Sequence, residues 1–489
     1  MRDQYIVPVT APAQAKDTPH SALKRGKLKT WNLVVMVLGV QVPLGTVIAQ
    51  VPVTLGFGVG IGSPITSLVA GLILLSFAVG WSRMSEHITN SGAFYAYISR
   101  ALGLPLGIAG AAVATLAYNA LTIGAVSILG SFAQHVIFDL TGVDLTWQGC
   151  ILLTMAIIAI AAYNKLDFSI RVLTVVMVFE LIILGALTIA ILVQDGFSNF
   201  PAQSFSPQSI FAPGAGITLA ITVWVCLGFE SAAVYGEEAK NPRRSVPRAS
   251  YASILLITIL YVLMTWVVIA GAGGFKAQAA AAADPAGLVF GLFSHYLGSS
   301  VGTFVQVWSI LSIVAACIAC HNLAARYFFV LGREGILSPA LGKTRGSAKV
   351  PWNASLAQLL IMLAVLSVFM VIGTDPYLIL GSGLLGLTVI GMVALMAVTS
   401  LGIFWFFRKE RSRFFSCRVM PLVSFAGLCV ILYQVINNYS ALSGFKSGPM
   451  HLVPYIVPIV AALAVVYGLY LKKLKKVEYE RMRATLDKL

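Results

Sequence analysis

Residues 39–52 read GVQVPLGTVIAQVP and lie inside the first long apolar run of the chain. Two prolines, two glutamines, a threonine and two glycines are poor material for a helix that crosses hydrocarbon. A proline there removes a helix hydrogen bond and strands a carbonyl. Lipid supplies no replacement donor, so the unsatisfied group costs several kcal/mol. An interruption at this depth has to face protein or a cavity, and that requirement decides the fold.

The rest of the chain is as apolar as that run. Of 489 residues, 58% are hydrophobic and only 10% charged, and the mean hydropathy is +0.88, the make-up of a polytopic membrane protein. A helix needs about twenty apolar residues to cross a bilayer. About twelve stretches meet that criterion, beginning near Trp31, Ser63, Leu104, Gln148, Phe168, Ser209, Ser250, Val301, Trp352, Leu378, Val419 and Leu452. The first thirty residues have no apolar signal-peptide core and end in a basic cluster, which places the amino terminus in the cytoplasm. An even number of spans puts the carboxyl terminus there as well.

The net charge of +15 would point to nucleic acid in a soluble protein. Here Lys and Arg concentrate in alternate loops, with only Lys276 and Lys446 in loops assigned outside. The charge is therefore an orientation signal, reinforced by anionic inner-leaflet lipid, and no nucleic acid is implied. The low-complexity stretch QAAAAAD, ending at Asp284, falls in an outer loop and carries no evident chemistry. Cys317 and Cys320, one helical turn apart in a span, are read as packing rather than redox or metal chemistry. No P-loop and no HExxH helix occurs, so no enzyme, ATP-driven pump, metal site or cofactor is expected.

Five spans after the first interruption comes a second, ITVWVCLGFESAAVYGEEAKNP (residues 221–242), with Gly228, Glu230, Ser231 and Gly236 inside an apolar run. Paired breaks at corresponding positions are the mark of transporters built from inverted repeats. Unwound backbone offers amide donors and carbonyl acceptors, and half-helix ends add partial charges that hold a zwitterion. The competing reading is that Gly228 only permits close helix packing.

Three segments carry a resemblance. FESAAVYGEEAKNPRRSVPRAS (229–250), SGAFYAYISRALG (91–103) and ARYFFVLGREGILSP (325–339) resemble the sixth helix, the segment between helices two and three, and the end of helix eight in the amino acid, polyamine and organocation transporter superfamily. The resemblance implies an all-α membrane protein with a LeuT-like fold of five plus five inverted helices and two more. In residues, that is a tail over 1–29, repeats over 30–195 and 208–407, a loop and helices eleven and twelve over 408–472, and a tail over 473–489.

It also implies a site. Carbonyls at Trp224, Val225 and Leu227, beside Gly228, would hold a substrate ammonium, with Trp224 as a lid. The helix-one break, Gln41, Pro43, Leu44, Gly45 and Thr46, would meet the carboxylate. Pro43 has no amide, so the usual three-amide cradle is altered and ligands without a carboxylate stay in play. Glu230, at the start of the second half of helix six, is either a helix cap or, by resemblance, a gating residue together with Trp224.

Other candidates come from depth alone. Glu180 lies nine residues past Arg171, about 13 Å into the bilayer, where an ionisable group is a functional hypothesis by default. It is read as the proton-coupling group, the alternative being a static carboxyl bonded to helix one or eight. His321 and Asn322 lie about 18 Å from Arg333, either in the core or beside the helix-one break in a cluster with Glu180. Tyr118 and Asn119 are weaker candidates, and Ser309 and Ser312 keep sodium open.

The expectation is a proton-coupled symporter of amino acids or related amines in the cytoplasmic membrane, its partners being a small-molecule substrate, H+ and lipid. A polyamine or organic-cation carrier, an amino-acid exchanger, a channel and a non-transporting nutrient sensor are the alternatives; the last lacks room for a folded domain after Lys472.

Overall fold

The computed structural model describes residues 28–88, 92–163, 170–345, 350–410, 413–443 and 449–487. The two halves of the first span are α1 (Thr30–Gln41) and α2 (Pro43–Phe57). They are followed by α3 (Ser63–His87), the short α4 (Phe94–Leu102), α5 (Leu104–Thr141), α6 (Trp147–Tyr163) and α7 (Ile170–Asp195). A second split pair, α8 (Ala215–Cys226) and α9 (Ser231–Val234), precedes α10 (Pro242–Gly271), the short α11 (Ala277–Ala283) and α12 (Leu288–Leu297), α13 (Ser299–Arg333), α14 (Trp352–Ile372) and α15 (Ser382–Phe406). The chain ends in α16 (Met420–Asn437), α17 (Tyr439–Leu442), α18 (Ile456–Leu474) and α19 (Lys476–Asp487).

Among the described residues, eleven helical stretches are long and apolar enough to cross a membrane. The shorter α6, with 17 residues up to Tyr163, accounts for the other expected span. Residues 1–27 of the expected amino-terminal tail, residues 164–169 of an expected basic loop, and Lys446 lie outside the described residues. Large apolar side chains stay on the outside, Val371 at 88%, Val193 at 78% and Leu463 at 65% exposure, an arrangement unfavourable in water and at home in hydrocarbon. Helix α1 packs against α10, α13 and α7, and α8 against α3 and α16, so both split pairs lie against continuous helices.

The first break is narrower than the sequence implied. Only Val42 leaves the helix, with φ 42° and ψ 84°, and Pro43 opens α2 at its first position. Proline is suited to that position, because its missing N–H would have no helical partner there. Residues 43–52 are helical, Pro52 included. The turn before Pro52 is braced from outside: Tyr377 donates its hydroxyl to the Ala49 carbonyl at 2.8 Å and Tyr261 to that of Gln50 at 3.4 Å. Neighbouring helices thus resupply the hydrogen bonding a membrane proline disturbs.

The second break has a different cause. Leu227 is extended and Gly228 has φ +108°, a conformation L-residues rarely adopt. Close packing also contributes, since a Cβ on Gly228 would lie 3.2 Å from Val40 Cγ1. Gly228→Ala is therefore expected to destabilise by about 1–3 kcal/mol, read as a lower thermal midpoint of the purified protein. An unchanged midpoint would show that neither the positive φ nor the contact with Val40 constrains this position.

The alanine-rich stretch proves to have a structural part, forming α11 against α2. A Cβ on Gly56 of α2 would stand 2.8 Å from the Ala282 amide nitrogen. Small residues on both sides allow this approach, a use of alanine that composition alone conceals.

Candidate functional site

The two breaks face each other. Gln41, the last residue of α1, donates its Nε2–H to the carbonyl of Cys226, the last residue of α8, at 2.9 Å. Its Oε1 is buried without a partner. A cavity of about 60 Å³ lies beside this bond, bordered by Gln41, Val42, Gly45 and Thr46 from the first break and by Trp224, Val225 and Leu227 from the second. The opposite wall is apolar: Leu121, Ala125 and Ile128 of α5, with Ile313, Ala316 and Cys320 of α13.

The carbonyls of Val225 and Leu227 accept no hydrogen bond among the described residues. That of Trp224 accepts the Leu227 amide at 3.1 Å, so the second break presents two unoccupied acceptors. Gln50 and Ala49 also border the cavity, and neither was among the expected contacts. Both lie three or four residues past Thr46, on the same helical stripe, which is the signal that would have found them.

The donors of the first break are largely engaged. Pro43 has none, and the Thr46 amide donates to the Val42 carbonyl at 2.8 Å, while the Thr46 hydroxyl donates to the Gln41 carbonyl. The Leu44 amide donates to Glu180 Oε2 at 3.2 Å. This leaves Gly45 as the remaining first-turn amide on a residue that borders the cavity. Pro43 and Leu44 themselves stand behind the cavity wall.

Glu180 is buried at 1% exposure, and its other oxygen accepts the Ser312 hydroxyl. One carboxylate thus joins α7 to the open end of α2 and to α13. The first turn of a helix carries unpaired N–H groups and positive partial charge, so the Glu180 carboxyl already occupies the α2 terminus. Ser309 turns instead to the carbonyl of Gln306, at 2.7 Å.

Glu230 supports the second break from outside the cavity. It is fully buried, accepts the Gly228 amide at 3.0 Å and accepts the Tyr118 hydroxyl at 2.5 Å. The Tyr118 ring lies 4.8 Å from that of Tyr327 on α13. Tyr118 is thus placed by its bond to Glu230. Asn119 donates to the Thr115 carbonyl at 2.8 Å within its own helix.

His321 is not beside the helix-one break. Its ring nitrogens pair with Gln358 and with Ser355 Oγ at 2.7 Å, both on α14, so the expected cluster with Glu180 does not form. The reason is angular: Cys320 borders the cavity, and the next residue on an α-helix points about 100° away. Asn322 is half-buried on the same helix and also stands away from the cavity.

Comparison with known proteins agrees with this architecture. The chain is 25% identical over 424 residues to the methylthioribose transporter of Bacillus subtilis (strain 168), covering 80% of this chain and 85% of that one. It is 24% identical over 463 residues to the branched-chain amino acid permease BcaP of the same organism, covering 90% and 92%. It is also 24% identical over 360 residues to the aromatic amino acid transport protein AroP of Escherichia coli (strain K12), covering 69% and 73%. The sequence model described as Amino acid permease matches residues 28–464. With nearly its whole length matched, and two helix breaks meeting at an internal cavity, the chain belongs to the amino acid permease family.

Proposed function

We propose that this permease is a secondary active transporter that takes up neutral, apolar amino acids across the cytoplasmic membrane by alternating access around its two helix breaks, in symport with protons. In this reading the helices of residues 30–195 and 208–407 are the inverted repeats and both termini are cytoplasmic. The observation that carries the proposal is the Glu180 carboxylate on the Leu44 amide, at a helix terminus beside the cavity.

A substrate ammonium is held by the carbonyls of Val225 and Leu227, with the unpaired Gln41 Oε1 as a further acceptor. The substrate carboxylate needs the open end of α2, and there it meets Glu180. Two carboxylates about 5 Å apart repel by about 3 kcal/mol at an effective dielectric of 20. A proton on Glu180 removes that repulsion and frees the terminus for the substrate, so proton and substrate bind together. The apolar wall of Leu121, Ile128 and Ile313 receives the side chain, in keeping with the relative named for branched-chain amino acids. Trp224 borders the same space as its lid, and Glu230 transmits movement of the second break to α5.

A second reading rests on the same engaged terminus. With Pro43 lacking an amide and Leu44 committed to Glu180, a ligand without a carboxylate would fit the break as it stands, and one relative is named for methylthioribose. A polyamine is a poorer fit, because no carboxylate lines the cavity itself and Glu180 behind it is already engaged by the Leu44 amide and the Ser312 hydroxyl.

The test is uptake of labelled leucine into vesicles containing the purified protein, with an acidic exterior and no internal substrate. Concentrative uptake that collapses with a protonophore is expected. Uptake only with internal counter-substrate would establish an exchanger, binding without flux a sensor, and competition by methylthioribose but not by amino acids the second reading.

A further inference from the structure

A second and larger space lies away from the central cavity. It is a polar cleft of about 670 Å³ between the end of α3, the start of α10 and the connection from α15 to α16. Its charged lining is Arg83, Arg243, Arg244 and Arg413, with Glu86 and Glu410. The excess is positive, and it is unevenly committed. Glu86 is shared by Arg83 at 3.0 Å and Arg413 at 3.1 Å. Arg243 and Arg244 are exposed, and the side chain of neither makes an ion pair or hydrogen bond among the described residues.

The chain on either side of the cleft-lining residues Phe407 and Arg413 indicates the kind of anion. Trp405, Phe414 and Phe415 are 52%, 57% and 62% exposed where α15 ends and α16 is about to begin, and the Arg408 guanidinium sits 4.1 Å from the Trp405 ring centroid. Exposed aromatics beside arginines mark the level of lipid headgroups. Further along, Leu422, Val423 and Val430 of α16 are exposed, apolar surface on the helix that follows the cleft.

We propose that this cleft binds the headgroup of one anionic phospholipid. Its phosphodiester lies between Arg243 and Arg244, whose planar forks suit phosphate oxygens. Glu86 and Glu410 accept hydrogen bonds from headgroup hydroxyls, and an acyl chain follows the face of α16. A soluble phosphate ester shares the headgroup chemistry but has no use for the neighbouring exposed aromatics or the apolar face of α16. The site is independent of how substrate and proton are handled at the central cavity.

The test is native mass spectrometry of the full chain in detergent, offered phosphatidylglycerol, phosphatidylcholine or millimolar glycerol 3-phosphate. The wild type should retain one phosphatidylglycerol in preference to phosphatidylcholine, and glycerol 3-phosphate should not displace it. In the double variant Arg243→Ala/Arg244→Ala, retention should weaken roughly thirtyfold, the effect of two interfacial arginines, while Arg243→Lys/Arg244→Lys keeps the preference. Equal retention of the two lipids by the wild type would overturn the proposal, as would undiminished retention in a folded alanine variant. Displacement by glycerol 3-phosphate would reassign the cleft to a soluble anion.

Discussion

Glu180→Gln is expected to abolish concentrative uptake while leaving substrate binding intact and no longer dependent on pH. Glutamine is the neutral counterpart of the protonated acid: it keeps an oxygen for the Leu44 amide or the Ser312 hydroxyl, but it has no proton to release. On the proposed mechanism, the proton has to be on Glu180 for the substrate carboxylate to reach the α2 terminus, so wild-type affinity is expected to be highest at acidic pH and to fall as pH rises. The repulsion of about 3 kcal/mol removed by the substitution corresponds to about two orders of magnitude in affinity on the alkaline side. Binding measured across pH should therefore be flat and tight in the variant. Uptake driven by a pH gradient should be lost, because nothing discharges the proton on the inner side. A variant that still concentrates substrate with wild-type pH dependence would remove Glu180 from the coupling mechanism.

The second large effect is expected at Glu230, and it separates two substitutions that look similar. Glu230→Ala leaves the Tyr118 hydroxyl and the Gly228 amide buried and without their acceptor. Each such group costs about 1–3 kcal/mol, and the pair is large against a typical folding stability of about 5–15 kcal/mol. The alanine variant should lose several degrees of thermal midpoint and most of its uptake. Glu230→Gln can keep both contacts, since the amide oxygen accepts from Gly228 while the tyrosine hydroxyl rotates to accept from the amide nitrogen. It should fold as the wild type does and retain transport. Matching midpoints for the alanine variant and the wild type would show that the second break does not depend on this carboxylate.

These residues also show where sequence reading works. Spans were legible because hydrocarbon imposes length and apolarity on every crossing helix. The two breaks were legible because Pro43 and Gly228 are backbone features that a membrane helix tolerates only for a reason. The depth of Glu180 followed from the rise of a helix, and so did that of His321, yet one lies at the α2 terminus and the other faces α14. Depth is a one-dimensional quantity; the direction a side chain faces depends on which helices pack around it. Ile313, Ala316 and Cys320 trace a cavity-facing stripe, and His321 is one residue off it. The wall of α5 was not legible for another reason. Leu121, Ala125 and Ile128 sit in a helix apolar on nearly all sides, so composition does not distinguish the cavity-facing residues from those packed against other helices. The joint role of Tyr118 and Glu230 needed the fold itself, because 112 residues separate them.

Pro43 limits how the first span can move. A ring at that position supplies no N–H to the carbonyl of Gly39 and collides with it, whatever the rest of the molecule does. A proline can be carried inside a helix, as Pro52 is in α2, but fusing α1 and α2 into one rod would cost about 3 kcal/mol at Pro43. On the proposed alternating-access mechanism, α1 and α2 are therefore expected to turn as two levers about Val42 rather than to rewind into one helix. The Gln41–Cys226 bond sits directly beside Val42 and ties the end of α1 to the end of α8, so the two breaks are expected to move together.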